Sequence, residues 1–178
     1  MASHWSKADV ESLAAKMIAT GRTQQTYVPD APVTRAEFAA LIVRALGLAD
    51  SAAASSFRDV AASDWHAGPI QAAVKAGIVG GYADGMFRPD RTITRAEMAV
   101  MVFKALEYAG YQRGSAPQAA FADGAEIDAW AEEAVQVLSG LDIVNGDSRK
   151  RFAPKSNTTR GESAAVLNRM IRELTFEK

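Results

Sequence analysis

No cysteine occurs in the chain. That absence excludes disulfide frameworks, thiol catalysis and thiolate metal sites together. Histidine is nearly as scarce: His4 and His66 are the only two, and there is no His-Glu-x-x-His pattern. No apolar run approaches the roughly 20 residues that span a bilayer, so no membrane insertion is expected. Net charge is −1. With no basic field over the chain as a whole, nucleic acid is not an expected partner. The start, MASHWSKADV, has no apolar signal-peptide core. That leaves an intracellular protein or a piece of a longer exported chain, and the abrupt start favours the piece.

What is present is ordinary in amount and unusual in order. Apolar residues make up 48% and charged residues 23%, as in globular proteins. The 178 residues suffice for one domain with its own core, so 1–178 is read as a single domain. The phrase VTRAEF at 33–38 returns as ITRAEM at 93–98 and, altered, as TTRGES at 158–163. Aligning Arg35, Arg95 and Arg160 sets offsets of 60 and 65 residues. The same offsets superimpose Trp5, Trp65 and Trp130, then Gly21, Gly81 and Gly146, then Tyr27, Phe87 and Phe152, then Pro29, Pro89 and Pro154. All three tryptophans of the chain share one repeat position. A fixed period of this kind marks a repeat architecture.

The repeats are placed at about 1–48, 57–109 and 121–174. LADSAAASS (48–56) and GYQRGSAPQAA (110–120) read as loops between them. Repeats 2 and 3 open on Phe-x-Asp, at Phe57–Asp59 and Phe121–Asp123, and repeat 1 has no counterpart. Phe176, near the C-terminus, is expected to take the matching place beside repeat 1 and so close a pseudo-threefold ring.

Each tryptophan is expected to precede a short helix. Its apolar face is Val10, Leu13, Ala14, Met17 and Ile18 in repeat 1, Ile70, Ala73 and Val74 in repeat 2, and Val135, Leu138 and Leu141 in repeat 3. Pro69 suits a first turn and Gly77 a helix stop. A loop follows, pinned in repeat 2 by Phe87, and then a second helix. Its inner face is Phe38, Leu41, Ile42, Ala45 and Leu46, with Met98, Met101, Val102, Ala105 and Leu106, and Val166, Leu167, Met170 and Ile171, in the other copies. One helix-loop-helix of this length cannot bury its apolar faces alone, whereas three together can. The fold class is therefore all-α, with about six main helices.

Thr-x-x-Glu is a capping box, which accounts for Thr34 and Glu37, Thr94 and Glu97, and Thr159 and Glu162. The arginine is not needed for capping, and the helix dipole mildly disfavours a cation there. Two readings stand side by side. Each arginine pairs with a carboxylate of the next repeat, such as Asp59 or Asp123, or it joins the positive helix end in a receptor for carboxylate or phosphate. The tryptophans are ambiguous in the same way: a boundary tryptophan is usually core, yet one face can be offered to a sugar ring. The glycines are first of all turn residues, and secondly allow a ligand to approach the backbone.

With these residues in place, the sequence resembles the surface-layer homology (SLH) family, as three tandem modules. Repeat 2 carries the resemblance best, through its Phe-x-Asp-Val start, Trp65, the GIVGGYADGMFRPD loop and ITRAE. The resemblance implies a three-pronged, pseudo-trimeric helical domain that anchors exported proteins to the Gram-positive cell wall, outside the cell. The implied partner is a secondary cell-wall polysaccharide bearing pyruvate ketals on N-acetylmannosamine. It is held in grooves between adjacent modules, with Arg35, Arg95 and Arg160 on the pyruvyl carboxylate. The remaining groove walls it implies are Trp5, Trp65, Trp130, Asp59, Asp123, Gly21, Gly81 and Gly146. No catalysis, cofactor or metal is implied, and the isolated domain is expected to be monomeric.

Departures from the pattern predict unequal grooves. Repeat 1 reads TGRTQQTYVPD in its loop, repeat 3 reads NGDSRKRFAPK with Lys155 where the others have Asp30 and Asp90, and Gly161 weakens the third motif's helix start. A helical-repeat module that binds another protein is the alternative. An enzyme built on Asp84, Asp90, Glu97 and Glu126 has no recognisable constellation behind it, and a calcium loop at Asp84–Asp90 lacks the ligand spacing.

Overall fold

A computed structural model of the protein describes residues 3–21, 26–51, 55–112 and 120–176. The helices are α1 (Lys7–Ala15), α2 (Arg35–Ala45), α3 (Ala67–Lys75), α4 (Arg95–Tyr108), α5 (Ala129–Gly140) and α6 (Arg160–Phe176). A short 3-10 turn at Gly124–Glu126 precedes α5. Among the described residues there is no sheet, only isolated bridges, so the fold is all-α as expected.

The helices do not pair within their own repeats. Instead α2 packs on α3, α4 on α5, and α6 on α1. The second helix of each repeat thus buries its apolar face against the first helix of the next, and α1 on α6 closes the ring. The second helices α2, α4 and α6 also touch one another. One core runs through all three pairs, with Phe38, Ile42, Met98, Leu106, Leu138 and Met170 fully buried. Ring closure therefore rests on α1. The side chain of Phe176 lies outside the described residues.

The axis is held by backbone. The Val33 amide donates to the Thr158 carbonyl (3.0 Å), Thr158 to Ile93 (2.9 Å) and Ile93 back to Val33 (3.1 Å). These are the first residues of the three motif copies, all with no exposed surface. The next amides follow suit. Those of Arg35, Arg95 and Arg160 donate to the carbonyls of Arg91, Ser156 and Ala31, and those of Ala36, Ala96 and Gly161 to Pro89, Pro154 and Pro29. Each helix start is thereby sewn to a neighbouring repeat.

Local expectations change at three residues. Met17 is 82% exposed, because α1 ends at Ala15 and Met17 turns into the left-handed region at φ 56. Gly77 and Asp142 hold the same turn in the other repeats, at φ 71 and 54. Ala14 is exposed as well. Trp130 lies inside α5 instead of before it. Gly161 has a packing reason: a Cβ there would stand 2.8 Å from Ser6 Oγ and 3.3 Å from the Pro29 carbonyl. Phe87 and Phe152 are wholly buried and pin their loops.

Candidate functional site

The capping boxes form as expected. Thr34 and Thr94 accept from the Glu37 and Glu97 amides, and both glutamates reach back to the threonine amides. Thr159 and Glu162 make the same two bonds, at 2.8 and 3.2 Å. The arginine between them reaches across the repeat boundary. Arg35 donates through Nε to the Phe87 carbonyl (3.0 Å), through Nη2 to Gly80 (3.3 Å) and through Nη1 to Glu97 (3.4 Å). Arg95 does the same with Phe152 (2.7 Å), Asn145 (3.1 Å) and Glu162 (2.9 Å). Arg160 donates to Tyr27 (3.0 Å) and Thr20 (2.7 Å), and its Nη1 lies 3.7 Å from Glu37. Each guanidinium also lies over the aromatic ring of that loop, 4.4–5.1 Å from its centroid.

The carboxylate that meets each arginine is therefore the capping glutamate of the next repeat, and neither Asp59 nor Asp123. Those two are spent inside their own repeats. Asp59 accepts from the Phe87 and Arg88 amides (2.8 and 2.6 Å), and Asp123 from Phe152 and Ala153 (2.8 and 2.7 Å). Both clamp a residue in the left-handed region, Arg88 at φ 59 and Ala153 at φ 56. Burial pushes the Asp59 carboxyl up, but the two amides outweigh it and hold it below the usual carboxylate value.

Each guanidinium forms one end of a groove to which all three repeats contribute. The Arg35 groove, of about 490 Å³, takes Gly80, Gly81 and Tyr82 from the loop of repeat 2. Glu97, Val100, Met101 and Lys104 come from α4, and Trp130 from repeat 3. The Arg160 groove, of about 440 Å³, takes Thr20, Gly21, Glu37, Ala40, Leu41 and Arg44 from repeat 1 and Trp65 from repeat 2. The Arg95 groove, of about 190 Å³, takes Val144, Asn145, Glu162, Ala165, Val166 and Arg169 from repeat 3 and Trp5 from repeat 1. It adjoins a polar cup of about 350 Å³ that holds Gly146 and shares Arg95, Asn145 and Glu162. The expected arginines, tryptophans and glycines thus converge. Asp59 and Asp123 line none of these grooves.

The tryptophans are not core. Trp5, Trp65 and Trp130 are 61%, 60% and 56% exposed, each standing at the edge of a groove built by the two other repeats. Gly81 and Gly146 also face the Phe-x-Asp ring: a Cβ at 81 would stand 2.3 Å from Phe57, and one at 146 would stand 3.2 Å from Phe121.

Sequence reasoning missed two sets of lining residues. Arg44, Lys104 and Arg169 put a second cation in every groove, and Leu41, Met101 and Val166 an apolar strip one turn earlier. Both sets obey the 60 and 65 offsets, which is the signal that finds them. In the Arg35 groove alone, Tyr82 adds a hydroxyl donating to Glu97 (2.7 Å) beneath Arg35, Arg88 and Arg91. Arg91 also bonds Glu97. In the Arg95 groove, Arg169 donates to the Ile143 carbonyl at 3.1 Å.

The helix starts offer nothing free to an anion. Their first amides are taken by the neighbouring repeat, and the next by the capping threonine. The guanidinium is different. Of its five N–H groups, Arg35 and Arg95 each engage three in the contacts above, leaving two. What each groove can do chemically is hold an acidic, partly apolar ring compound between cations and an indole. Among the described residues no group of three or more acidic or histidine side chains could hold a metal ion, and no helix is long and apolar enough to cross a membrane.

Comparison with known proteins agrees with the repeat register. The family model for the S-layer homology domain matches residues 1–39, 56–99 and 120–164. The amylopullulanase of Thermoanaerobacterium thermosulfurigenes is 40% identical over 172 residues, covering 96% of this chain but 9% of that protein. The cellulosome-anchoring protein of Acetivibrio thermocellus is 32% identical over 151 residues, 82% of this chain and 33% of its own length. A surface layer protein of Brevibacillus choshinensis is 37% identical over 123 residues, 67% of this chain and 11% of its own. The chain thus spans a minor part of each of these relatives. With every repeat matched and one groove built per repeat, the chain belongs to the S-layer homology domain family.

Proposed function

We propose that the grooves hold a pyruvylated secondary cell-wall polysaccharide, with the pyruvyl ketal of N-acetylmannosamine as the recognised unit and Arg35, Arg95 and Arg160 as its carboxylate contacts. Membership of the family, with surface-layer and anchoring relatives, makes the chain a non-catalytic cell-surface anchoring module at the wall. The observation that supports the finer reading is the threefold recurrence of one chemistry. Every groove offers a guanidinium, a second cation, an apolar strip and an exposed indole. A ketal presents a carboxylate and a methyl group on one carbon, and a sugar presents an apolar ring face. Each has a counterpart in the groove.

The energetics suit a ligand held by several weak sites. A charged hydrogen bond contributes about 1.5–3 kcal/mol, and stacking on an indole adds a comparable apolar term. Grooves on one ring engaging one repeating polymer convert modest affinity into firm retention. The repeats, at about 1–48, 57–109 and 121–174, act only together, because each groove draws on all of them. Among the described residues each groove draws its lining from one chain, which supports a monomeric isolated domain.

The test is binding to purified wall material before and after chemical removal of pyruvate. Binding should be lost with the pyruvate. Retention on depyruvylated wall would point to a protein or to another sugar.

A further inference from the structure

The loop of repeat 3 carries a charge pattern opposite to that of repeat 2 on the same backbone. The Tyr82 amide donates to Met86 (2.8 Å) and Gly85 to Tyr82 (2.9 Å), while Asp147 donates to Arg151 (2.9 Å) and Lys150 to Asp147 (2.8 Å). Residues 80–90, GGYADGMFRPD, hold one cation and two carboxylates, net −1. Residues 145–155, NGDSRKRFAPK, hold four cations and one carboxylate, net +3. Arg149 stands where repeat 2 has Asp84, and Lys155 where it has Asp90.

This loop is built to hold its cations outward. Asp147 accepts from the Arg149 and Arg151 amides (2.8 and 2.9 Å) and pairs with the Arg151 guanidinium (2.9 Å). The Ala122 amide ties the Lys150 carbonyl at 2.8 Å. Lys150 sits at φ 55, where repeat 2 has Gly85 at φ 76. A lysine thus stands at a position where glycine is unstrained. Arg149, Lys150 and Lys155 are exposed, and none has an ion-pair partner among the described residues. Beside them opens the polar cup of about 350 Å³, in which Arg95 and Arg151 pair with the carboxylates of Glu162 and Asp147, and Asn145 and Asn157 add polar groups.

We infer that this cup and its cationic loop form a second subsite, specific to repeat 3, for anionic groups of an acidic polysaccharide strand. The ligand class is a carboxylate- or phosphate-bearing sugar. The cup shares Arg95 and Asn145 with the Arg95 groove, so a strand seated in that groove continues over the loop. In that continuity the inference rests on the polysaccharide reading above. The subsite makes binding to a charged polymer steeper in salt than binding of a single sugar, as counterions leave the polyanion.

The experiment uses the full chain and a variant given the residues of repeat 2, Arg149→Asp, Lys150→Gly and Lys155→Asp. Its probes are poly(glycerol phosphate), an oligogalacturonate, a DNA duplex and the pyruvylated N-acetylmannosamine monosaccharide. The variant, checked for folding by circular dichroism, should bind poly(glycerol phosphate) or the oligogalacturonate, or both, about tenfold more weakly at low salt, with a shallower salt dependence. Which polymer responds identifies phosphate or carboxylate as the group read. Monosaccharide affinity should stay within about twofold, since Arg95, Trp5 and Arg169 are untouched. Unchanged affinity for both polyanions overturns the inference, as does wild-type binding to DNA as tight as to either of them. A monosaccharide that binds neither protein counts against the pyruvyl reading alone, because the polyanion comparison does not depend on it.

Discussion

Arg95 and Glu162 meet across a repeat boundary, with Nη1 donating to Oε1 at 2.9 Å. The same glutamate caps its own helix through the Thr159 amide at 2.8 Å. The arginine and glutamate of the repeated phrase are therefore one device, split between neighbours. Each copy's glutamate serves its own helix start and the previous copy's arginine. This answers why an arginine stands at a position that capping leaves unspecified, and it also ties the groove to the ring that builds it.

That double duty separates the two groove residues in their effects. Arg95→Ala removes three cross-boundary contacts and should cost about 2–3 kcal/mol of stability as well as binding. Trp5→Ala, in the same groove, removes an exposed ring and should change stability by under about 0.5 kcal/mol. Its effect should be about a tenfold loss in affinity for the pyruvylated sugar at that groove. Thermal melts alongside ligand titrations of the two variants check this. A Trp5→Ala protein that melts far below wild type would contradict the groove-edge placement.

Glu97 should make stability depend on acid. Burial pushes its carboxyl up, but the Thr94 amide, the Tyr82 hydroxyl, Arg35 and Arg91 outweigh that and hold it below its ordinary value of 4.5. A depressed folded value means the contribution is complete above about pH 4.5 and is lost as pH falls through the folded value. Glu97→Gln should be less stable than wild type at pH 7, with the gap closing in acid. Urea unfolding at a series of pH values measures the gap, and a constant difference from pH 7 downward would refute the assignment.

At the axis, Thr158 carries a hydroxyl with no hydrogen-bond partner and no exposed surface. Its counterparts are Val33 and Ile93. Thr158→Val keeps the shape and the backbone ring while removing the stranded hydroxyl, so it should stabilise the domain by about 1 kcal/mol. That corresponds to roughly 2–4 °C in Tm. A lower Tm would mean the hydroxyl is satisfied in solution.

Lys150→Gly relieves a left-handed residue. The relief of about 1–2 kcal/mol exceeds the added chain entropy of about 0.5–1 kcal/mol, so a net gain near 0.5–1 kcal/mol is expected. A melting curve unmoved or lowered would show that Lys150 is held by contacts that glycine loses.

The sequence made the fold class and the equivalence of positions readable, because a fixed offset shows which residues play the same part. It did not show which copies' residues meet. The helix pairs cross the repeats, so Trp130 completes the groove of Arg35 across two boundaries, although 95 positions separate them. Exposure of the tryptophans was equally hidden, since a large apolar residue at a boundary is usually buried. The free helix end that one of the two readings put beside each arginine is absent for a related reason. Its amides are consumed by carbonyls such as Arg91 and Pro89, whose approach only the closed ring creates. Asp59 looked like a partner for arginine until the left-handed Arg88 gave it two amides instead.

The most direct test of the account is a calorimetric titration of the full chain with the pyruvylated N-acetylmannosamine monosaccharide, repeated on Trp5→Ala, Trp65→Ala and Trp130→Ala. The wild type should bind, and each substitution should weaken or remove the site whose arginine lies in another repeat: Arg95, Arg160 and Arg35 respectively. Undiminished binding in all three variants, or no binding of the pyruvylated sugar by the folded wild type, would contradict it.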